Sequence, residues 1–495
     1  MSYLELLKLA APETIVVIAA LAALLIDLTA MRGLEVRVRF TIGGMISCVG
    51  CLAAIMWMVV MPAHANALEG MLVADPLTQL VKICLLALTV FTVLISIESN
   101  FTTHAGEYLA LILLATVGMM FLVSAEDILM IFVALELVSL SLYVLTAFNK
   151  RDIKSAEAAL KYFLFGGMSA AFMLFGLSLI YGLSGSTNLG KIALALAGKG
   201  LDPLLVVAIV MTVIGFGFKV AAVPFHFWAP DAYQGAPTQS AAFIASGSKV
   251  ASFFIFAKVM MIGFAGAEGS GAFRAYAAGW VPVLTVVAGL SMILGNLVAI
   301  VQSSVKRLLA YSAIAHAGYA LLGILANSEL GVASLLYYVV TYGLTTVGAF
   351  GVVAVVEQGT GGSRLSDYAG LGRRAPVMSL CMLVFMLSLA GIPPLAGFFG
   401  KFYVFVAAIK SGASSLGLLW LVILAIVMSA VSLFYYLQVL KQIYVADAPA
   451  GAGRIEVPWV TQATLALLAL GVVLLGCFPG WLVGMIEHAM KPVGH

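Results

Sequence analysis

Residues 203–234 read PLLVVAIVMTVIGFGFKVAAVPFHFWAPDAYQ, an apolar run that exceeds one membrane crossing and contains two internal prolines. A straight transmembrane helix needs about 20 residues, and proline removes a backbone donor and clashes with the preceding turn. Pro224 and Pro230 therefore predict a broken helix. Backbone freed by such a break is tolerated at membrane depth only inside protein or against a wet cavity. The run thus predicts a buried irregularity within a membrane protein.

The composition of the whole chain agrees with this prediction. Of its 495 residues, 63% are hydrophobic and only 9% are charged, whereas soluble domains have about 45–50% apolar and 25% charged residues. The 25 basic and 22 acidic residues nearly balance, which argues against a nucleic-acid partner. We expect an integral membrane protein in contact with the lipid bilayer.

Prolines, glycines and charge clusters divide the chain into apolar segments long enough to cross a bilayer. The run at 203–234 is the seventh of these segments. The twelfth, at 376–410, is also too long for one straight crossing and contains Pro393 and Pro394. The sequence therefore predicts an all-α polytopic fold with about fourteen transmembrane helices. The fourteen segments are 11–31, 40–61, 77–97, 107–124, 127–147, 160–183, 203–234, 239–264, 279–301, 308–326, 331–357, 376–410, 417–443 and 462–487.

The two broken segments indicate an internal repeat. Segments 4–8 and 9–13 overlay with an offset of five, and the broken helix is the fourth member of each block. Because an odd offset makes the blocks cross in opposite senses, we expect two inverted five-helix repeats. The predicted divisions are an N-terminal three-helix part (1–106), the first antiporter-like repeat (107–265), the inverted second repeat (266–445) and a C-terminal helix (446–495).

The loop charges predict the orientation. With the amino terminus outside, the inner loops hold thirteen basic residues and the outer side holds six, so the positive-inside rule places both termini on the periplasmic side of a bacterial inner membrane. The inner residues are Arg32, Arg37, Arg39, Lys150, Arg151, Lys154, Lys306, Arg307, Arg364, Arg373, Arg374, Lys441 and Arg454. The outer residues are Lys8, Lys191, Lys199, Arg274, Lys410 and Lys491.

The remaining basic residues are six lysines within or at the edge of the segments, and no arginine is among them. Arginine stays protonated, whereas a buried lysine loses its proton more readily. For Lys82 and Lys258 we expect side chains that extend to the interface. Lys161 has two interpretations: a proton-transfer group, or a side chain held by Glu157 one turn earlier. The six are Lys82, Lys161, Lys219, Lys249, Lys258 and Lys401.

Four ionisable residues are expected near the middle of the membrane, and we call Glu136, Lys219, Lys249 and Lys401 the central row. Glu136 stands nine residues beyond Asp127, or about 13 Å along a helix. A buried Glu–Lys pair can be a packing device, but one glutamate cannot neutralise three lysines. We therefore predict that the central row exchanges protons.

Two histidines are candidates for the same pathway. His316 lies midway along segment 10, and we predict a relay role for it. His226 follows the first break, where a structural role and a relay role are equally open. No helix carries two histidines at ligand spacing, and no dinucleotide or phosphate-binding motif is present. We expect no metal and no cofactor in this chain.

The motifs around the two breaks resemble a known family. Residues 218–238 look like the segment-7 signature of the antiporter-like membrane subunits of respiratory complex I, and residues 306–319 and 389–402 also fit that family. The sequence Ser246-Gly247-Ser248-Lys249 is similar to subunit N of bacterial NADH:quinone oxidoreductase. Gln234 and Gln239 depart from the family pattern, in which we expect Glu and Pro.

The resemblance implies a role for each member of the central row. It makes Glu136 and Lys219 a Glu–Lys pair, Lys249 the connecting lysine and Lys401 the terminal lysine. It also implies that NADH, FMN, iron–sulfur clusters and quinone belong to partner subunits. The implied neighbours of this chain are other antiporter-like subunits and small membrane subunits.

These observations predict a proton-translocating subunit that is driven by redox chemistry in other chains of an NADH:quinone oxidoreductase. One alternative is a subunit of a multi-subunit Na+/H+ antiporter, although a sodium site should supply several clustered oxygens. A second alternative is a membrane anchor for a redox complex. Loss of pumping on removal of the central row separates the first hypothesis from the anchor.

Overall fold

The computed structural model describes residues 3–61, 65–198, 200–272, 275–411 and 416–491. Helices dominate the described residues, and strands occur there only as two short antiparallel hairpins. The hairpins are β1 (Ala65–Ala67) with β2 (Leu72–Ala74), and β3 (Ser270–Ala272) with β4 (Ala275–Ala277). Two basic residues used for the predicted orientation, Lys199 and Arg274, lie outside the described residues.

The helices follow one another with short connections. The first seven are α1 (Tyr3–Leu9), α2 (Ala11–Thr29), α3 (Val36–Val60), α4 (Pro76–Ser96), α5 (Ala105–Ser124), α6 (Ile128–Thr146) and α7 (Ile153–Ser184). The next seven are α8 (Leu189–Leu196), α9 (Pro203–Lys219), α10 (Trp228–Gly235), α11 (Thr238–Ala245), α12 (Gly247–Lys258), α13 (Trp280–Ile300) and α14 (Val305–Leu325). The last seven are α15 (Glu329–Thr360), α16 (Leu371–Arg374), α17 (Pro376–Ala390), α18 (Ala396–Lys410), α19 (Leu419–Tyr444), α20 (Trp459–Cys477) and α21 (Pro479–Met490).

Twelve helical stretches in the described residues are long and apolar enough to span a membrane. Two shorter apolar helices, α9 and α17, begin the predicted segments 7 and 12. The all-helical, polytopic fold class is therefore confirmed. The number of fourteen crossings and the inverted repeats remain predictions.

Both predicted breaks are present. Helix α9 ends at Lys219 and α10 begins at Trp228, so residues 220–227 leave the helical path around Pro224. The indole nitrogen of Trp228 donates to the Phe218 carbonyl oxygen at 2.9 Å, which ties the two halves together. Helix α17 ends at Ala390 and α18 begins at Ala396, on either side of the second proline pair. Proline cannot donate a helical hydrogen bond, so the helices end there.

The centre of the molecule is formed by α11, α12, α14 and α15, whose residues are almost all buried. In contrast, α2, α3, α7 and α19 expose a large apolar face. This arrangement places the polar side chains of α12 and α14 in the interior of the protein, away from lipid. Polar groups buried there need hydrogen-bond partners within the protein.

The expectation for Lys82 is wrong. Its side chain does not extend to the interface but is buried in α4, where Nζ lies 2.6 Å from Glu13 Oε1 of α2. Both residues are less than 5% exposed. A lysine buried among apolar helices is tolerated when a charged partner is buried with it. The partner is 69 positions away in the sequence, so local pattern does not reveal it.

Two arginines belong to helices that begin before the predicted segments. Helix α3 begins at Val36, four residues before the predicted segment, and its first turns include Arg39. The Arg39 guanidinium donates two hydrogen bonds to the buried Asp27 carboxylate, at 2.7 and 2.5 Å. Arg307 likewise lies in the first turn of α14. Segment 14 also differs, because the chain leaves the helix at Phe478 and separates α20 from α21.

Candidate functional site

Lys219 stands in the last turn of α9, immediately before the first break. Its Nζ donates a hydrogen bond to Ser139 Oγ of α6. The rings of Tyr143 and Phe218 flank the ammonium group, with centroids 6.0 and 5.6 Å from Nζ. This environment offers Lys219 a neutral hydroxyl and two aromatic faces.

Glu136 lies one turn before Ser139 on the same helix. No carboxylate lies within 4 Å of Lys219 Nζ in the described residues, so the structure does not close the Glu136–Lys219 pair that the resemblance implies. Instead, Glu136 is half-buried on the outward stripe of α6, and its neighbours on that stripe are exposed and apolar. These neighbours are Leu129, Val133, Leu140 and Val144.

Lys249 is buried in the first turn of α12. Its Nζ donates to two backbone carbonyl oxygens, that of Val220 at 2.9 Å and that of Ala313 at 3.2 Å. Val220 is the residue after Lys219 and caps the carboxyl end of α9. The last carbonyls of a helix lack intrahelical donors and carry partial negative charge, so they stabilise a cation.

Lys401 is held in the same manner at the second break. Its Nζ donates to the carbonyl oxygens of Leu389 and Ala390, at 2.9 and 3.0 Å, at the carboxyl end of α17. A third hydrogen bond reaches Ser429 Oγ of α19 at 2.9 Å. The ring of Tyr319 lies 5.2 Å from the ammonium nitrogen.

His316 lies on α14 between these two lysines. It is one turn beyond Ala313, which accepts from Lys249, and its ring is 5.7 Å from that of Tyr319, which faces Lys401. Both ring nitrogens are hydrogen-bonded: Nδ1 is 2.7 Å from the Tyr338 hydroxyl and Nε2 is 3.1 Å from the Tyr436 hydroxyl. Helix α14 therefore lies between Lys249 and Lys401 and contacts the surroundings of both.

The structure links Lys219, Lys249, His316 and Lys401 through neighbouring residues rather than by direct contacts between them. Lys219 is followed by Val220, which receives Lys249, and α14 then leads from Lys249 through His316 to Lys401. Glu136 stands at the edge of this series rather than within it. Acceptors along the series are neutral hydroxyls and carbonyls, so the ammonium groups are solvated without being neutralised.

Lys161 is not part of the series. It belongs to a cluster near the start of α7, where its Nζ lies 2.6 Å from Glu157 and 3.0 Å from Asp231. The side chain is 41% exposed. Arg307 completes the cluster with a 2.7 Å contact to Asp231 at the end of the broken helix. The interpretation that Glu157 holds Lys161 accords with this geometry.

His226 lies within the first break and is buried against the ring of Phe227. Its Nδ1 has no hydrogen-bond partner in the described part of the chain. No hydrogen bond or ion pair of a described residue joins it to a lysine of the central row. The structure therefore places His226 beside the pathway without connecting it.

A polar cavity of about 370 Å³ opens where α11 begins. Its lining includes Thr238 and Gln239, together with Lys306 of α14 and Glu357 of α15. Lys306 Nζ lies 2.8 Å from Glu357 Oε1, and the Thr238 hydroxyl donates to the same carboxylate. These contacts hold the ends of α11, α14 and α15 around the opening of this polar cavity, which we call the polar mouth.

Among the described residues, no group of three or more His, Cys, Asp or Glu side chains is arranged so that it could hold a metal ion.

Several hydroxyl residues that contact the candidate site were not predicted from the sequence. Ser139 and Ser312 stand on the same helices as Glu136 and His316, one turn away, but a single serine in such a helix gives no signal of its own. The other three come from helices other than that of the residue they contact, and the adjacent aromatic pair Tyr435-Tyr436 is their visible signal. The missed residues are Ser139, Ser312, Tyr338, Ser429 and Tyr436.

Comparison with known families gives one match over residues 125–431, to the transmembrane family described as NADH:quinone oxidoreductase/Mrp antiporter. Similar curated proteins include NADH-quinone oxidoreductase subunit N 2 of Acidobacterium capsulatum, which is 53% identical over 491 residues and covers 97% of this chain and 98% of its own length. Subunit N of Desulforamulus reducens is 40% identical over 426 residues and covers 86% of both chains.

Solved structures show the same fold. A chain of respiratory complex I from Thermus thermophilus with bound aureothin aligns with a TM-score of 0.78 and 32% identity, covering 96% of this chain and 98% of that one. A chain of the Mrp complex from Dietzia has a TM-score of 0.80 at 20% identity and covers 98% and 97%, respectively, which shows likeness of fold alone.

Proposed function

Because this chain belongs to the NADH:quinone oxidoreductase/Mrp antiporter family, and within it to the subunit N group of complex I, we propose that it translocates protons along the central row and His316. The redox reactions that drive this movement take place in partner subunits. Those partners carry the NADH, FMN, iron–sulfur and quinone sites of the complex.

The observation that carries the proposal is the series of buried lysines held by carbonyl and hydroxyl oxygens. Neutral acceptors solvate an ammonium group but do not fix its charge as a carboxylate does. A lysine in such a site can therefore release its proton when a neighbouring charge changes. The contacts of Lys249 and Lys401 at the two helix breaks provide this kind of site twice.

Glu136 and Lys219 form the control point of the proposed mechanism. Ser139, the present partner of Lys219, is one helical turn from Glu136, and we infer that a change in the conformation of the lysine side chain exchanges one partner for the other. Unit charges 4 Å apart attract by about 4 kcal/mol at an effective dielectric constant of 20. Closing the pair holds the proton on Lys219, and opening it favours transfer toward Lys249.

The outward position of Glu136 supports a neighbouring membrane subunit at α6. A mid-helix carboxylate is costly next to lipid, whereas the rest of its stripe is apolar and exposed. We therefore infer that another membrane subunit of the complex covers this face.

We also propose that the assembly lies in the bacterial inner membrane with both termini of this chain on the periplasmic side. Residues 107–265 and 266–445 are proposed to be the two inverted repeats.

Sodium/proton antiport is less well supported by the site. A sodium ion needs several converging oxygens, but the carbonyl oxygens at both breaks already accept from Lys249 and Lys401. When Lys249 or Lys401 is protonated, its positive charge also repels a sodium ion that approaches the break. Sodium-dependent proton flux in the absence of any electron donor would favour antiport instead.

The test uses membrane vesicles that contain the assembled complex and are energised with NADH. Glu136→Ala and Lys219→Ala are each expected to lower proton pumping strongly, because each removes one half of the control point. The control is Lys191→Ala, which removes an exposed ion pair with Glu69 far from the row. Full pumping in both test variants would rule out the proposed pathway.

A further inference from the structure

The hydroxyl of Tyr436 lies between two polar groups of α14. Its oxygen is 3.1 Å from Nε2 of His316 and 2.5 Å from Oγ of Ser312. All three side chains are at least 95% buried. Ser312 precedes His316 by one turn, so Tyr436 bridges two successive turns of the same helix from α19.

This arrangement satisfies the proton requirements of a relay. A tyrosine hydroxyl has one proton to donate and can accept at the same time, and so can a serine hydroxyl. When His316 is protonated, Nε2–H donates to Tyr436, and Tyr436 donates to Ser312. If the proton on Nε2 moves to the Tyr436 oxygen, the Tyr436 proton moves to Ser312, and the Ser312 proton passes to a water molecule. His316 is then neutral, and the two hydroxyls are restored.

The bridge leads away from the central row. Ser312 is seven residues from the start of α14, about 10 Å along the helix, whereas His316 is about 16 Å from that end. The start of α14 carries Lys306 and Arg307, which line or adjoin the polar mouth near Glu357. A proton that moves from His316 through Tyr436 to Ser312 therefore travels toward this mouth.

We propose that Tyr436 and Ser312 form a side branch that exchanges protons between His316 and the face of the protein holding Lys306 and Glu357. His316 is then the point at which the lysine series is loaded from, or discharged to, that face. The second ring nitrogen remains bonded to Tyr338, on the side of Lys401. The inference rests on the proposed proton-translocating function.

The neighbouring tyrosine provides a matched control. Tyr435 is also buried in α19 and its ring packs against that of Tyr436, with centroids 4.4 Å apart, but its hydroxyl donates to Asn296 Oδ1 at 2.9 Å. In the described residues no hydrogen bond joins Tyr435 to His316 or Ser312. Asn296 in turn donates to the Tyr319 hydroxyl at 3.0 Å. Removing either tyrosine hydroxyl costs one or two buried hydrogen bonds and leaves the ring packing in place, but only the Tyr436 hydroxyl contacts both Ser312 and His316.

The experiment measures proton pumping and NADH oxidation in vesicles with the assembled complex. We expect Tyr436→Phe and Ser312→Ala each to lower the pumping rate by about tenfold, equivalent to about 1.4 kcal/mol in the barrier. Ser312→Thr retains a hydroxyl and is expected to pump near the original rate. Tyr435→Phe is also expected to pump near the original rate, and a merely structural effect would reduce it together with Tyr436→Phe.

A separate variant distinguishes the relay from the proposed function. If Lys249→Ala abolishes pumping while Tyr436→Phe and Ser312→Ala pump normally, the side branch is wrong and the central row stands. If Lys249→Ala also pumps normally, the proposed function itself fails. If Tyr436→Phe does not assemble, the comparison of Ser312→Ala with Ser312→Thr decides: equal rates in those two variants overturn the branch.

Discussion

The carbonyl oxygen of Val220 accepts a hydrogen bond from Lys249 Nζ at 2.9 Å, so the carboxyl end of α9 is capped by a lysine of α12. Lys401 caps the end of the other broken helix through Leu389, also at 2.9 Å, although it comes from the second half of that same broken segment. Each break thus supplies carbonyl oxygens to one buried ammonium group. The carbonyl oxygens left without helical donors at each break are thus satisfied by a lysine, and the lysine ammonium group is stabilised by the same oxygens.

This relationship predicts that Lys401 must be able to lose its proton. In Lys401→Arg the positive charge is permanent, because a guanidinium is not deprotonated in proteins. We expect proton pumping by the assembled complex to fall to background, measured as acidification of NADH-energised vesicles. Lys410→Arg, an exposed substitution in the last turn of the same helix, is the control and should pump normally. Normal pumping in Lys401→Arg would show that deprotonation at this position is not required.

The buried pair of Lys82 and Glu13 predicts a change in stability rather than in pumping. Lys82→Met leaves a carboxylate buried without its partner, which costs about 3–5 kcal/mol. We expect a lower thermal denaturation midpoint and less assembled complex, with the pumping rate per assembled complex unchanged.

The double variant Lys82→Met with Glu13→Leu supplies the control for this pair. It removes both charges, and most of the lost stability should return. If Lys82→Met assembles normally but pumps poorly, the pair belongs to the proton pathway instead.

Close packing of α13 against α14 predicts that Gly295 positions His316. A Cβ atom at Gly295 would lie 2.5 Å from the backbone nitrogen of Ala315, the residue before His316. Gly295→Ala therefore forces α14 away from α13, and overpacking of this kind costs about 1–3 kcal/mol. We expect both the thermal midpoint and the pumping rate to fall.

Gly289→Ala on the same helix provides the comparison, because its Cβ would meet Leu421 at an ordinary 3.6 Å. This variant should retain stability and pumping. Equal behaviour of the two glycine variants would mean that the α13–α14 contact does not position His316.

The apolar segments and the breaks were predictable because hydropathy and proline act locally. Segment 5, predicted at 127–147, is observed as Ile128–Thr146, and the first break falls between Lys219 and Trp228. Segment ends were less accurate where a helix extends beyond the bilayer with charged residues, as α3 does at Arg39.

The residues of the central row were found because charge is rare inside such a chain, but their partners were not. Ser429 and Tyr436 come from α19, far from α18 and α14 in sequence, and hydroxyl groups are common on membrane helices. Lys82 was misplaced for the same reason, since Glu13 is in another helix. Contacts between distant helices depend on packing, which one sequence does not reveal.

Ammonium groups in oxygen cages at both helix ends have a consequence for ion selection. The proposed pathway is electropositive whenever its amines are charged, and the carbonyl oxygens that the structure describes at the two breaks already accept from Lys249 and Lys401. An alkali metal ion would have to displace an amine in order to pass, at a large electrostatic cost. In the proposed mechanism a proton avoids this cost, because it advances by the making and breaking of O–H and N–H bonds.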